Sequence, residues 1–315
     1  MGPRRRSTVL LLGPTFAVLI IVIGYPIVAA VVQSLSGDSG LDPTTGRFTD
    51  GGFVGLNHYI DWLTQRCGSV SCPTGSLGSA FWVSVVNTFG FTIVTVALET
   101  VLGFWMALIM NRTFRGRSIV RAAVLVPWAI PTAITAKLWM FIFAFGGVAN
   151  SMLNSSILWT ADPFWSRVAI IVADVWKTTP FLALLILAGL QVIPTEIYEA
   201  ARVDGARTVQ QFVRITLPLI RPALMVAILF RTLDALRMYD LPAIMTGGGP
   251  GTATTTLSML VVGQIRVGPN SAAALSTITF LVVFGVAYLF VRFLGANITT
   301  RGATTERGTR TESTS

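Results

Sequence analysis

Charge, histidine and cysteine are all scarce in this chain of 315 residues. Charged residues make up 12%, about half the share of a soluble domain, while hydrophobic residues make up 53%. That balance excludes an ordinary soluble fold and points to a chain that lives in lipid. One histidine (His58, in the polar run GLNHYI) and two cysteines (Cys67 and Cys72, in CGSVSCPTG) cannot supply a zinc site at metal-ligand spacing, so no metal is expected. A phosphate loop is missing too. TGGGPGTATTT (246–256) has the glycines but lacks the Gly-Lys-Ser/Thr ending that would hold a nucleotide.

Six stretches are apolar over the ~20 residues a helix needs to cross a bilayer: 8–33, 81–110, 119–145, 168–190, 219–240 and 272–294. The first follows Arg4, Arg5 and Arg6 as a signal peptide would. Its apolar run is longer than a signal core and lacks a small-x-small cleavage site, so it is read as a retained helix. With both termini cytoplasmic, the inner segments carry Arg4, Arg5, Arg6, Arg112, Arg115, Arg117, Arg121, Arg202, Arg207, Arg214, Arg221, Arg292, Arg301, Arg307 and Arg310. The outer segments carry only Arg47, Arg66, Arg167, Arg237 and Arg266. The positive-inside rule therefore accounts for the net charge of +9, with no need for a nucleic-acid surface.

This topology divides the chain into a cytoplasmic N-terminus (1–7), a transmembrane domain (8–296) and a tail (297–315) rich in Thr, Arg, Gly and Glu that is expected to be disordered. Loops 36–80 and 241–271 fall outside, and 191–218 falls inside. TLSMLVVGQIRV, in the third outer segment, is too short to span and suits an interfacial or cavity-side helix. Cys67 and Cys72 share an exterior loop, where oxidation is permitted. A disulfide there would contribute on the order of 2 kcal/mol, and two free thiols are the alternative.

The segment IPTEIYEAARVDGARTVQQFVRITLP reads as helix, turn, helix on the cytoplasmic face. Thr195 suits an N-cap, Glu196 and Glu199 favour the first turn, and Gly205 can take the left-handed conformation that ends the helix. Thr208 starts a second helix, Gln211 completes a capping box, and Pro218 marks entry to the next span. Ala200 and Ala201 keep one face thin, with Glu199, Arg202 and Asp204 offering polar contacts around it. On physics alone, a partner's handle and a plain interfacial linker are equally good readings.

Glu199-Ala200-Ala201, then three residues and Gly205, then nine and Ile215, then one and Leu217-Pro218, resembles the EAA loop of bacterial ABC-importer permeases over its full spacing. VPWAIPTAITAKLWMFIF (126–143), GGVANSMLN (146–154), WKTTPFLALLILAGLQVIP (176–194) and YDLPAIMTGGGPGTATTTLS (239–258) resemble the carbohydrate branch of that family. WKTTPF with FRTLDALRMYD (230–240) looks most like the mycobacterial trehalose-importing permeases. The resemblance covers the chain from the first span to the sixth, apart from the long first exterior loop and its cysteines. It implies an all-α, six-span, type I (MetI-like) permease that imports a carbohydrate such as trehalose. The EAA residues would couple to an ATPase subunit, and Gly247, Gly248 and Gly249 would lie where a binding protein docks. Implied partners are a second related permease, two ATP-binding subunits carrying ATP and magnesium, and an exterior sugar-binding protein.

Six ionisable residues fall inside the spans: Glu99, Lys137, Asp174, Lys177, Arg231 and Asp234. Each costs a few kcal/mol unless paired or wetted. At ~1.5 Å rise per residue, all but Glu99 gather in the outer half, and Asp174/Lys177 and Arg231/Asp234 sit at i,i+3 on one helix face each. They could line a sugar path, with Trp139 and Trp176 stacking on sugar faces, or pair with one another to hold helices together. The balance of three acids and three bases suits an uncharged passenger. Pro127 and Pro131 break the third span as either a hinge or a static kink, and Trp159 and Trp165 read as interfacial anchors. A secondary transporter usually needs more spans and inverted repeats. A membrane glycosyltransferase needs an acid or His cluster at a surface. Both are the weaker readings.

Overall fold

The computed structural model describes residues 12–41, 48–49, 51–67 and 70–308. The predicted N-terminal segment 1–7, residues 8–11 of the first span, Arg47 and residues 309–315 of the tail lie outside them. In chain order the helices are α1 (Leu12–Ser34), α2 (Asn57–Thr64), α3 (Phe81–Asn111), α4 (Arg117–Ala129), α5 (Thr132–Ile142), α6 (Val148–Leu153), α7 (Pro163–Gln191), α8 (Thr195–Val203), α9 (Thr208–Ala235), α10 (Asp240–Met245), α11 (Leu257–Ile265) and α12 (Pro269–Gly308). Five of them, α1, α3, α7, α9 and α12, are long and apolar enough to cross a bilayer.

The third predicted span is not one helix. Its halves, α4 and α5, are bent by 90°. Pro131 has no N–H to continue α4 and drives the residue before it out of the helical region, and Ile130 is accordingly extended (ψ 131°). Two other prolines are absorbed more gently. Pro26 and Pro218 each lie two residues beyond a widened π-type turn, Ile20–Gly24 and Phe212–Thr216, which takes up the lost hydrogen bond without breaking the helix. The second helix of the 191–218 loop therefore runs straight into the fifth span as α9.

The chain forms two compact units. The first comprises residues 1–82 and 257–282. The apolar core of α1 has none of its residues buried against the chain, which leaves it for lipid or a partner. The described residues of the predicted exterior loop 36–80 include α2 and two minimal antiparallel strand pairs: β1 (Gly40–Leu41) with β2 (Phe48–Thr49), and β3 (Arg66–Cys67) with β4 (Val70–Ser71). Cys67 and Cys72 are disulfide-bonded across the second pair. Asp38 caps the start of α12, its carboxylate accepting from Asn270 N (2.6 Å) and Ser271 N (3.1 Å). Nearby, Trp62 donates to Ser271 (3.2 Å).

The second unit comprises residues 83–256 and 283–315, with α7 at its centre. Asp162 caps α7, accepting from Phe164 N and Trp165 N at 2.9 Å, and Pro163 suits the first turn. Small residues let α3 approach α7: a Cβ on Gly103 would meet Ala183 N at 3.2 Å. Around that contact Phe104, Ala107 and Met110 pack on Leu182, Ala183 and Ile186. A second core joins Phe91, Ala136, Phe143, Ala169, Ile170, Met238 and Leu241, and contains Trp159. Trp159 is thus buried, with its indole N–H on Asn150 Oδ1 (2.9 Å), rather than an interfacial anchor. The backbone of α12 stays helical to Gly308, past residue 297 where composition predicts the tail, since no proline interrupts 270–308.

Candidate functional site

Three helices bring four of the intramembrane charges together. Arg231 on α9 is 1% exposed. Its Nε bonds Glu99 Oε2 on α3, and Nη2 reaches Glu99 Oε1 (2.9 Å) and Asp174 Oδ2 on α7. Nη1 reaches Asp234 Oδ2 (3.0 Å) on its own helix. Thr178 Oγ1 lies 2.6 Å from both Glu99 Oε1 and the Asp174 carbonyl. Glu99 and Asp174 are buried, whereas the Asp234 side chain is 72% exposed. A guanidinium taken out of water is stable only when its donors are matched, and here one fork meets three carboxylates.

The sequence-derived pairing is corrected on two points. Asp174 pairs with Arg231, not Lys177, whose Nζ donates instead to the Ile130 carbonyl (2.7 Å) at the α4/α5 break. Glu99 joins the cluster and Lys137 does not, being exposed on α5. The depth estimate assumed a straight third span, and the 90° bend carries Lys137 elsewhere.

A cavity of about 130 Å³ opens beside the cluster. Asp174, Lys177, Thr178, Arg231 and Asp234 line it, together with Thr132, Arg237, Met238, Tyr239, Asp240 and Leu241. Arg237, Tyr239 and Asp240 were hidden from sequence reasoning because α9 ends at Ala235 and the following turn folds back over the cavity. Trp139 and Trp176 meet edge to face (5.7 Å) but line no part of it. Trp139 continues a ring series through Phe143 (5.1 Å), Trp159 (4.7 Å) and Trp165 (5.0 Å), an aromatic seam in the core.

The loop at 191–218 forms the expected hook with its details shifted. Thr195 is the first helical residue, following Pro194, and makes no capping bond. Gly205 takes φ +74°, and the turn closes through Ala206 N to Ala201 O (2.9 Å). The helix-entry bond is Arg207 N to Gln210 Oε1 (2.9 Å), while Gln211 turns back to the Ala206 carbonyl (2.9 Å). Ala201 is buried, so the thin face offered outward is Ala200 alone. Glu199, Arg202, Asp204 and Gly205 are exposed around it, and Val203 is 88% exposed. Tyr198 OH and Thr216 Oγ1 (3.0 Å) tie the hook to α9.

Gly247, Gly248 and Gly249 all have positive φ and fold back so that Gly248 O accepts from Thr254 N (2.7 Å). Gly248 is buried and Gly247 exposed. Two side chains missed by sequence reasoning pin this loop: Asn87 donates to the Thr252 and Thr255 carbonyls (2.9 and 3.0 Å), and Arg167 to that of Ala253 (2.9 Å).

Residues 99–300 match the family described as binding-protein-dependent transport system inner membrane component. The chain belongs to that family. It is 40% identical to the trehalose/maltose transport system permease protein MalF of Thermococcus litoralis (90% of this chain, 92% of MalF). It is 33% identical to the trehalose transport system permease protein SugA of Mycobacterium tuberculosis (93% and 90%). Its fold matches, with TM-score 0.74 and 21% identity, a crystal structure of a bacterial ABC transporter involved in import of the acidic polysaccharide alginate (93% of this chain, 96% of that one). This permease is therefore a multi-pass, non-catalytic component of the cell membrane with a type I importer fold, and the ATPase is a separate subunit. The secondary-transporter and glycosyltransferase readings fall with that assignment.

Proposed function

We propose that the permease imports a neutral disaccharide such as trehalose, handed over by an extracytoplasmic sugar-binding protein. The observation carrying this reading is the charge balance of the cavity wall. Three acids (Asp174, Asp234, Asp240) face three bases (Lys177, Arg231, Arg237), and the buried guanidinium is already matched by carboxylates. A sulfonated or carboxylated sugar would call for unmatched positive charge, while hydroxyls can share donors and acceptors with Thr132, Thr178, Tyr239 and the exposed Asp234. Relatives named for trehalose and maltose point the same way. About 130 Å³ is below the ~300 Å³ at which ligand pockets begin, so a second related permease supplies the remaining wall or the cavity enlarges during the cycle.

In this reading both termini are cytoplasmic and the hook enters a groove of one of two ATP-binding subunits, which carry the ATP and magnesium. Glu199, Ala200, Arg202, Asp204 and Gly205 make the contact, and Ala201 anchors the hook to the permease. ATP-driven closure of that pair favours the outward-open state, and hydrolysis resets it. The loop at Gly247, Gly248 and Gly249 receives the binding protein. The test is mass spectrometry of the sugar retained by the co-purified binding protein, followed by vanadate-sensitive uptake of that labelled sugar into proteoliposomes. An intact neutral disaccharide is expected. An anionic sugar whose uptake trehalose and maltose fail to compete would refute the reading.

A further inference from the structure

Lys177, in the cavity wall, donates its hydrogen bond to the main chain of a helix break. The amides that follow the break are spent elsewhere: Ile134 N and Thr135 N both donate to the Pro131 carbonyl at 3.0 Å. The Ile130 carbonyl, at the C-terminal end of α4, is left to the ammonium at 2.7 Å. A cation suits that end of a helix, and a carbonyl without a donor at membrane depth is costly. The same ammonium shares its cavity with the carboxylates of Asp174, one turn earlier on α7, and Asp234 on α9. It therefore sits between two sets of acceptors, one on the bend and one on the cavity wall.

We propose that Lys177 is the positioning residue of the α4/α5 break: a clasp that fixes the 90° bend while its ammonium is on Ile130 and frees it when the ammonium moves to the carboxylates. Thr132, the first residue of α5, lines the same cavity, so a change of bend changes the cavity wall directly. Pro131 makes the break and Lys177 holds its angle. The inference rests on the import reading only in requiring a cavity that changes shape, and the identity of the sugar does not enter.

Ile119 on α4 and Phe141 on α5, near the far ends of the bent pair, are each 73% exposed. The permease's only two cysteines are bonded to each other, so Ile119→Cys and Phe141→Cys can be spin-labelled in a complex whose other subunits have no free thiol. The distance between the labels is measured with and without vanadate-trapped nucleotide, beside uptake kinetics. Lys177→Met should broaden the nucleotide-free distance distribution and lower kcat for uptake about tenfold, with KM within about twofold. Lys177→Arg, which keeps a donor, should stay near wild type. Pro131→Ala added to Lys177→Met should narrow the distribution again, because a continuous helix gives Ile130 its own amide donor. If Lys177→Met alone fails to assemble, recovery of the complex in the double variant supports the clasp, and failure to recover overturns it. An unchanged distance distribution, or a raised KM with kcat preserved, also overturns it, the latter by making Lys177 a sugar contact.

Discussion

Replacing Arg231 with methionine leaves an unbranched apolar side chain, shorter than arginine, and removes the only cation within 4 Å of Glu99 and Asp174 among the described residues. The Glu99 side chain is 0% exposed and does not line the cavity, so water cannot take over from the guanidinium there, and that of Asp174 is only 9% exposed. Breaking one partner out of a buried ion pair costs about 3–5 kcal/mol, because the survivor is left charged and dry. At roughly 2–4 °C per kcal/mol, the permease in its complex should melt on the order of 10 °C lower. Two controls separate charge imbalance from lost packing. Adding Glu99→Gln and Asp174→Asn to Arg231→Met removes the stranded charges and should recover most of the loss. Asp234→Asn alone, at a side chain 72% exposed, should cost no more than about 1 kcal/mol. The assay is fluorescence-detected size-exclusion chromatography after heating, on detergent-purified complex. Arg231→Met melting within about 2 °C of wild type would refute the reasoning, as would a triple variant no more stable than the single one.

Gly205→Ala places a Cβ at φ +74°, at a cost of about 1 kcal/mol, and should tilt the hook tip. Sugar transported per ATP hydrolysed should fall severalfold while the membrane content of the complex holds, which uptake and phosphate release measured on one preparation will check. Opening the Cys67–Cys72 bond with reductant should destabilise the strand pair Arg66–Cys67/Val70–Ser71 by on the order of 2 kcal/mol and speed tryptic cleavage at the already exposed Arg66, read by peptide mapping under non-reducing and reducing conditions. Asp38→Ala removes two acceptors from the start of α12 and should cost about 1–2 kcal/mol, seen as faster hydrogen exchange at Asn270 and Ser271.

What could be read in advance was what depends on neighbours along the chain. Apolar run length placed the spans, and Gly205 ended its helix by positive φ because a left-handed position at a helix end selects glycine. Errors arose where a partner lies far away in sequence. Arg231 meets Glu99 across 132 residues and Asp174 across 57, and i,i+3 spacing has no knowledge of either. Spacing favoured Asp174 with Lys177 because both are on one helix face. The Pro131 break then offered Lys177 a carbonyl that a straight third span would not have left free. Asn87 and Arg167 escaped notice for a related reason: they bond main-chain carbonyls of the 246–256 loop, and a carbonyl carries no sequence signature.

The contrast between the broken third span and the continuous fifth shows how a push at the hook would reach the cavity. Pro218 sits behind a π-type turn that keeps α9 continuous from Thr208 to Ala235, so the hook, tied to Thr216 through Tyr198, and the buried guanidinium belong to one rigid rod. Arg231 is 15 residues beyond Thr216, roughly 22 Å along the axis at ~1.5 Å per residue. A tilt at the hook is thereby carried to a residue gripped by α3 and α7 at once. Because Arg231 bonds carboxylates on both α3 and α7, those helices move with it or the ion cluster breaks, at a cost of about 3–5 kcal/mol. Compliance therefore has to lie elsewhere, and the broken pair α4/α5 supplies it: with Lys177 on the carbonyl at its break, it is the part of the cavity wall that can change shape while α3, α7 and α9 move together.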